Sequence, residues 1–168
     1  MLFSNIRSSI SGAPTVTNDL HLIRDIFLEV KTEYNSVSKF YDLGSGYGDI
    51  LFLASTILHP KEIIGIEIAS FPSFISYLKT YKHRSKDTSY KIINSDILKT
   101  DFSDGEIIYI YLLPDLLKKL ECKVNNVISK NPNVCIISPV FKFPNLKPKK
   151  VLWKYHSKFK KQVEIYIY

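Results

Sequence analysis

Tyr41-Asp42-Leu43-Gly44-Ser45-Gly46-Tyr47-Gly48-Asp49 is the stretch on which the fold turns. A short apolar run, Lys39 to Leu43, leads into it, and a second apolar run, Asp49 to Leu58, leaves it and stops before Pro60. A strand that ends in spaced glycines and opens a helix is the first crossover of an open α/β sheet. Such sheets bind ligands beyond the carboxyl ends of their strands, where the strand order reverses. Glycines are needed there for unusual backbone angles and close ligand approach.

The spacing narrows the ligand. A dinucleotide fingerprint is G-x-G-x-x-G; counted from Gly44, its third glycine falls on Asp49. The pattern here is D-x-G-x-G-x-G, and no G-x-x-x-x-G-K phosphate loop is present. Asp49 at the helix start would repel a pyrophosphate, which favours that position. It is harmless to a ligand that lacks phosphates and carries a cationic sulfonium, and S-adenosylmethionine is such a ligand. Glu67 ends the next apolar run, 19 residues after Gly48. A carboxylate there suits two ribose hydroxyls; the alternative is an ordinary strand-end acid. Asp96, in Asn94-Ser95-Asp96-Ile97, suits the adenine amine or a turn cap. Ile68 and Ile97 are placed to sandwich the adenine ring or to join the core.

Outward from this loop the apolar period alternates. Leu20, Ile23, Phe27 and Val30 fall at helical spacing after possible caps at Thr17 and Asn18. Strands are expected at Ile63–Ile68, Tyr90–Ile93, Glu106–Tyr111, Val134–Ser138, Val151–His156 and Gln162–Tyr168, and further helices at Phe71–Tyr81 and Asp115–Ile128. Alternating strands and helices imply a parallel sheet covered on both faces. Only Ser157 to Lys161 join the last two strands, too few for a parallel crossover, so these two are antiparallel. The expectation is a Rossmann-like, mostly parallel seven-stranded α/β sheet with its last strand inserted antiparallel. It forms one domain over residues 1–168, with 1–13 as a flexible or capping segment.

Composition fits that class. The chain has 168 residues, 45% of them apolar and 23% charged, enough for a core without disulfide or metal staples. Two cysteines, Cys122 and Cys135, form no CxxC pair and suit a reducing compartment. The four histidines are scattered, so no metal site is expected. No apolar run approaches the ~18 residues of a membrane span. Lys and Arg exceed Asp and Glu by seven, and unevenly: from Cys122 onward ten lysines face one acid, Glu164, while the first 121 residues carry 13 basic and 15 acidic groups. A basic final third implies an acidic macromolecule such as nucleic acid, or a solvated lysine-rich surface. Residues 1–18 hold no acid, one Arg and four serines. A cytoplasmic location is expected. A mitochondrial transit peptide is the alternative for that segment, as is an amphipathic stub with Leu2, Phe3, Ile6 and Ile10 on one face.

Asp42, Gly44, Ser45, Gly46, Gly48, Glu67 and Asp96 match the cofactor motifs of class I S-adenosylmethionine-dependent methyltransferases. A closer resemblance rests on Pro14-Thr15, Tyr41 to Gly46, Asp101-Phe102-Ser103, Leu112-Leu113-Pro114, and Phe141-Lys142-Phe143-Pro144 with Pro148, in this order. Together these resemble the small protein-lysine methyltransferases, a group that includes an archaeal broad-specificity enzyme and the mitochondrial enzyme acting on the ATP synthase c subunit. The resemblance covers about residues 14 to 168 and implies a protein substrate with an accessible lysine. Phe40 to Gly46 also resembles the non-SET histone-lysine enzymes. Where the group carries an acid and then an Arg around the third glycine, this chain has Tyr47 and Asp49.

The acceptor side is read by elimination. Leu112-Leu113-Pro114-Asp115 lacks the Asp/Asn-Pro-Pro-aromatic motif of adenine and amide methylation. No Cys follows a Pro, as carbon-5 cytosine chemistry needs, and only Asp115 could serve a catechol-type metal. An amine or hydroxyl in an apolar pocket remains; a nucleic-acid or small-molecule acceptor, or a module that holds the cofactor without turnover, are the alternatives to a protein lysine. Tyr111 is expected to orient the amine and Asp115 is a candidate base. Leu112, Pro114, Phe141, Phe143 and Trp153 are candidate walls, and each could equally be core.

Overall fold

A computed structural model describes residues 19–83 and 87–168. The expected caps at Thr17 and Asn18, the stub at residues 2–10 and Pro14-Thr15 lie outside the described residues. Seven strands form one sheet: β1 Lys39–Leu43, β2 Glu62–Glu67, β3 Ser89–Asn94, β4 Ile107–Ile110, β5 Cys135–Pro139, β6 Lys150–His156 and β7 Lys161–Ile167. Among the described residues four helices accompany them: α1 Leu20–Glu33, α2 Asp49–Leu58, α3 Ser70–Thr80 and α4 Pro114–Lys130. The strand order is β3-β2-β1-β4-β5-β7-β6. Strands β1 to β5 pair in parallel, and β7 pairs antiparallel with both β5 and β6.

The chain steps outward from β1 to β2 to β3 and then crosses back to β4. Right-handed crossovers therefore put α2 and α3 on one face and α4 on the other. The side chains follow. Phe40, Tyr109 and Ile137 pack under α1 and α2, whereas Tyr41, Ile108 and Ile136 pack under α4. Strand alternation thus feeds two cores of similar size from one sheet.

Asp19, one residue after the expected caps, caps α1: its Oδ1 accepts from the amides of His21 and Leu22 at 3.2 and 3.3 Å. Leu20 lies outside on α1, and Leu22, Ile23, Ile26, Phe27 and Val30 form the buried stripe. Helix α3 departs from the usual pattern. Its buried residues are Ser73, Ser76 and Thr80, while Phe71, Phe74, Tyr77 and Leu78 face outward. Ser76 explains the small inner face, because a Cβ on Gly48 would lie 2.3 Å from its Oγ. The helix is pressed against the glycine loop, and larger inward side chains would not fit.

Candidate active site

The order reversal between β1 and β4 opens a crevice at the carboxyl end of the sheet. The glycine loop forms one wall. Gly44, Gly46 and Gly48 all have positive φ, at 86°, 51° and 83°. Gly44 has a second reason to be glycine, since a Cβ there would lie 2.9 Å from Leu112 Cδ2 in the loop after β4. A Cβ on Gly46 would meet nothing within 4 Å. The middle of the loop therefore faces open space, where a ligand can approach the backbone.

Glu67 ties two loops together. Its Oε2 accepts from Gly46 N–H at 2.9 Å and its Oε1 from Ala69 N–H at 2.7 Å. Each carboxylate oxygen can accept again, so the group remains suited to a pair of hydroxyls. Asp42 lies one step behind, buried, with its Oδ2 unpartnered. Burial, and then the charge of Glu67, push its pKa up to about 8. Ser45 Oγ is a second unpartnered buried atom at the same loop. Orphaned polar atoms and glycines of positive φ beside open space fit a polar ligand at this loop.

The second wall comes from the β3–β4 crossing. Asp96 Oδ1 accepts from Leu98 N–H at 2.9 Å, so one oxygen serves the turn while the other is left for a ligand. Ile97 is buried in the core under α4, whereas Ile68 is 54% exposed beside Glu67. Lys123, which the sequence did not single out, holds this wall. From α4 its ammonium donates to the carbonyls of Ile97 at 3.0 Å, Leu98 at 3.3 Å and Thr100, and sits 4.8 Å from the Phe102 ring. Burial lowers its pKa. A lysine on a predicted helix carries no sequence mark that would distinguish this role.

Past β4 and β5 the surroundings become apolar. Tyr111 stacks on Phe141 with ring centroids 6.2 Å apart and an interplanar angle of 24°. Its hydroxyl is buried without a partner, and burial, with the charge of Asp19, raises its pKa. Leu112, next to Tyr111 in the chain, reaches Gly44 with its Cδ2. Phe141 is aimed by a strained turn. Val140 has φ 68°, and Phe141 N–H donates back to the Pro139 carbonyl at 2.8 Å. A β-branched residue at positive φ is an outlier. It is held by Val140 N–H to the Glu164 carbonyl at 2.8 Å and by Ser138 Oγ to the Phe141 carbonyl at 2.7 Å.

Four expected residues sit elsewhere. Phe143 is only 1% exposed and packs edge-on against Tyr168 in the core, its N–H donating to the Tyr168 hydroxyl. Trp153 is 63% exposed on β6, separated from β5 by β7. Neither lines the slot. Asp115 and Pro114 occupy the exposed first turn of α4, where an acid complements the helix dipole. Among the described residues no cluster of metal-ligating side chains occurs.

The model of the ANTKMT methyltransferase domain matches residues 42–150. No curated protein matches the chain. Among solved structures, an RNA methyltransferase from Salinibacter ruber in complex with S-adenosyl-L-homocysteine is 20% identical, over 91% of this chain and 92% of its own, with a TM-score of 0.69. N-methyltransferase NodS from Bradyrhizobium japonicum is 13% identical, over 86% and 92%, with a TM-score of 0.63. M. capricolum TrmK in complex with S-adenosyl-homocysteine is 12% identical, over 92% and 68%, with a TM-score of 0.57. At these identities the likenesses establish the fold, and the family model covers well over half of the chain. The chain therefore belongs to the ANTKMT methyltransferase domain family and is an S-adenosylmethionine-dependent methyltransferase.

Proposed function

We propose that the methyl acceptor is the side-chain amine of a protein lysine. The observation that carries this is the aromatic slot of Tyr111 and Phe141, next to Leu112 and the glycine loop. A lysine amine must lose its proton before it can attack, which costs roughly 4–5 kcal/mol near neutral pH from a pKa of ~10.4. Apolar walls lower that cost by disfavouring the ammonium form. In-line positioning can supply a further ~7–11 kcal/mol. The unpartnered Tyr111 hydroxyl is the group that would orient the amine. The family is one of protein-lysine methyltransferases, which supports the same acceptor.

For the cofactor, we assign Asp42, Gly44, Ser45, Gly46 and Gly48 to the amino-acid end, Glu67 to the ribose, and Ile68, Asp96 and Ile97 to the adenine. S-adenosylmethionine supplies an electrophilic methyl on a sulfonium sulfur, and these residues would hold and orient it.

Nucleic acid is the second reading, favoured by the exposed Lys142, Lys147, Lys160 and Lys161. Part of the basic third is already engaged. Lys150 and Lys154 pair with Glu29 and Glu33 of α1, and Lys149 donates to the carbonyls of Pro132 and Val134. The test is incubation of the protein with methyl-labelled S-adenosylmethionine and a cell lysate. Label in a protease-sensitive band that maps to lysine is expected. Label removed by nuclease and not by protease would transfer the assignment to nucleic acid.

A further inference from the structure

Among the described residues, the outward face of α3 carries a run of exposed apolar and aromatic side chains. Phe71, Phe74, Tyr77, Leu78 and Tyr81 are exposed by 67, 55, 47, 45 and 48%. At 100° per residue they fall within an arc of roughly 120°, so they form one continuous stripe. Ile68, one residue after Glu67, extends it to the cofactor wall. Soluble helices place such residues inward, and a contiguous exposed apolar patch marks an interaction surface. α3 lies over β2 and the edge strand β3, at the margin of the sheet, so no further element of the described fold covers it.

Charge identifies what does. From Ile68 to Lys86 the sequence contains no acid and four bases, Lys79, Lys82, Arg84 and Lys86. Lys79 lies in the last turn of α3, the other three follow it in the sequence, and none falls between Ile68 and Leu78. Polarity therefore rises along the helix axis. Ile68, Phe71 and Phe74 come first, then Tyr77 and Tyr81, whose rings are apolar and whose hydroxyls are polar, then Lys82 and His83. A surface that tracks nucleic-acid phosphates needs bases interleaved along the stripe. An α3-to-α3 contact between two copies would gather the bases of both chains if parallel, and would lay each set against the Ile68–Phe74 end of the other copy if antiparallel. An anionic bilayer meets the gradient from end to end: apolar side chains enter the acyl boundary, tyrosines sit at the interface, and bases reach the headgroups. Lys79 is already shared with Asp49 and the Tyr47 carbonyl, which leaves Lys82 as the described base best placed for a headgroup.

We propose that α3 docks the protein on an anionic membrane surface, its Ile68–Phe74 end innermost. Because helices in this fold begin at the carboxyl end of the sheet, that orientation turns the candidate active-site crevice toward the bilayer. Acceptor side chains at the membrane surface are then the ones within reach.

The test is co-sedimentation with phosphatidylcholine vesicles containing or lacking phosphatidylserine, without methyl transfer, so that its outcome is separate from the identity of the acceptor. The full chain is expected to pellet with the anionic vesicles. The Phe74→Ser, Leu78→Ser double variant is expected to lose at least tenfold in apparent affinity. Lys82→Glu is expected to lose the preference for anionic lipid. Folding of each variant is checked by circular dichroism. A fluorescence control fixes the geometry: in a Trp153→Phe background, Phe74→Trp should be quenched by brominated lipid, whereas native Trp153, at the opposite edge of the sheet, should not. Vesicle binding untouched by the double substitution overturns the proposal. So does absence of vesicle binding, binding of RNA in its place, or self-association that the same substitutions abolish.

Discussion

Asp42, proposed above as a cofactor contact, carries a cost to the fold. Its side chain is buried among strand neighbours with one oxygen unpartnered. Its pKa rises from 3.8 to about 8 because burial and the nearby Glu67 disfavour the charge. Between these values the folded chain keeps a proton that the unfolded chain has lost, so stability falls as pH rises from about 4 to about 8. Asp42→Asn removes that dependence. In thermal unfolding of the cofactor-free protein, the variant is expected to melt above the parent at pH 8 and level with it near pH 4. An equal difference at both values would show that the carboxyl does not titrate across this range. The placing of Asp42 and Glu67 at strand ends beside the glycine loop was legible in the sequence, because the glycine spacing follows Asp42 and Glu67 closes the next apolar run. Lys123 was not legible, because its role depends on three carbonyls that only folding brings to one point.

At the scale of elements, the β5 exit carries the strain. Val140 holds a left-handed conformation that glycine would adopt freely. Strain of this kind costs on the order of 1–3 kcal/mol and collects at functional sites. Here it turns Phe141 onto Tyr111. Val140→Gly relieves the strain but adds chain entropy of roughly 0.5–1 kcal/mol, so stability is expected to hold or to rise by up to about 2.5 kcal/mol in chemical denaturation. Methyl transfer should nevertheless drop several-fold with cofactor affinity unchanged by calorimetry, because Phe141 is no longer held. Full turnover in the variant would remove the turn from the acceptor site. Periodicity placed nearly every helix and strand within two residues of its position, and Asp49–Leu58 with both ends correct. It said nothing of which way α3 faces, because that was set by its contact with Gly48.

Across the whole molecule, Asp19 joins the first described helix to the final hairpin. One oxygen caps α1 and the other accepts from Ser157 N–H and Oγ, both at 2.6 Å, with His156 Nδ1 at 3.4 Å. Burial opposes its charge. The bonds from Ser157 and Leu22 and the nearby His156 together outweigh that and lower its pKa to about 2. The contribution to stability is therefore present above about pH 4 and is lost as pH falls toward 2. Asp19→Ala is expected to cost about 2–4 kcal/mol near neutral pH by urea denaturation, from a lost cap and charged hydrogen bonds. The deficit should shrink on acidification, and a constant deficit would assign it to packing. By itself the sequence determined the sheet, its reversal point, the antiparallel end and the cofactor class, because glycine spacing, apolar period and loop length act over a few residues. The tertiary structure decided that Phe143 is core and Trp153 lies off the slot, that part of the basic third is ion-paired to α1, and that Val140 aims Phe141. Each of these depends on which distant groups compete for the same space or charge, and neither period nor spacing encodes that.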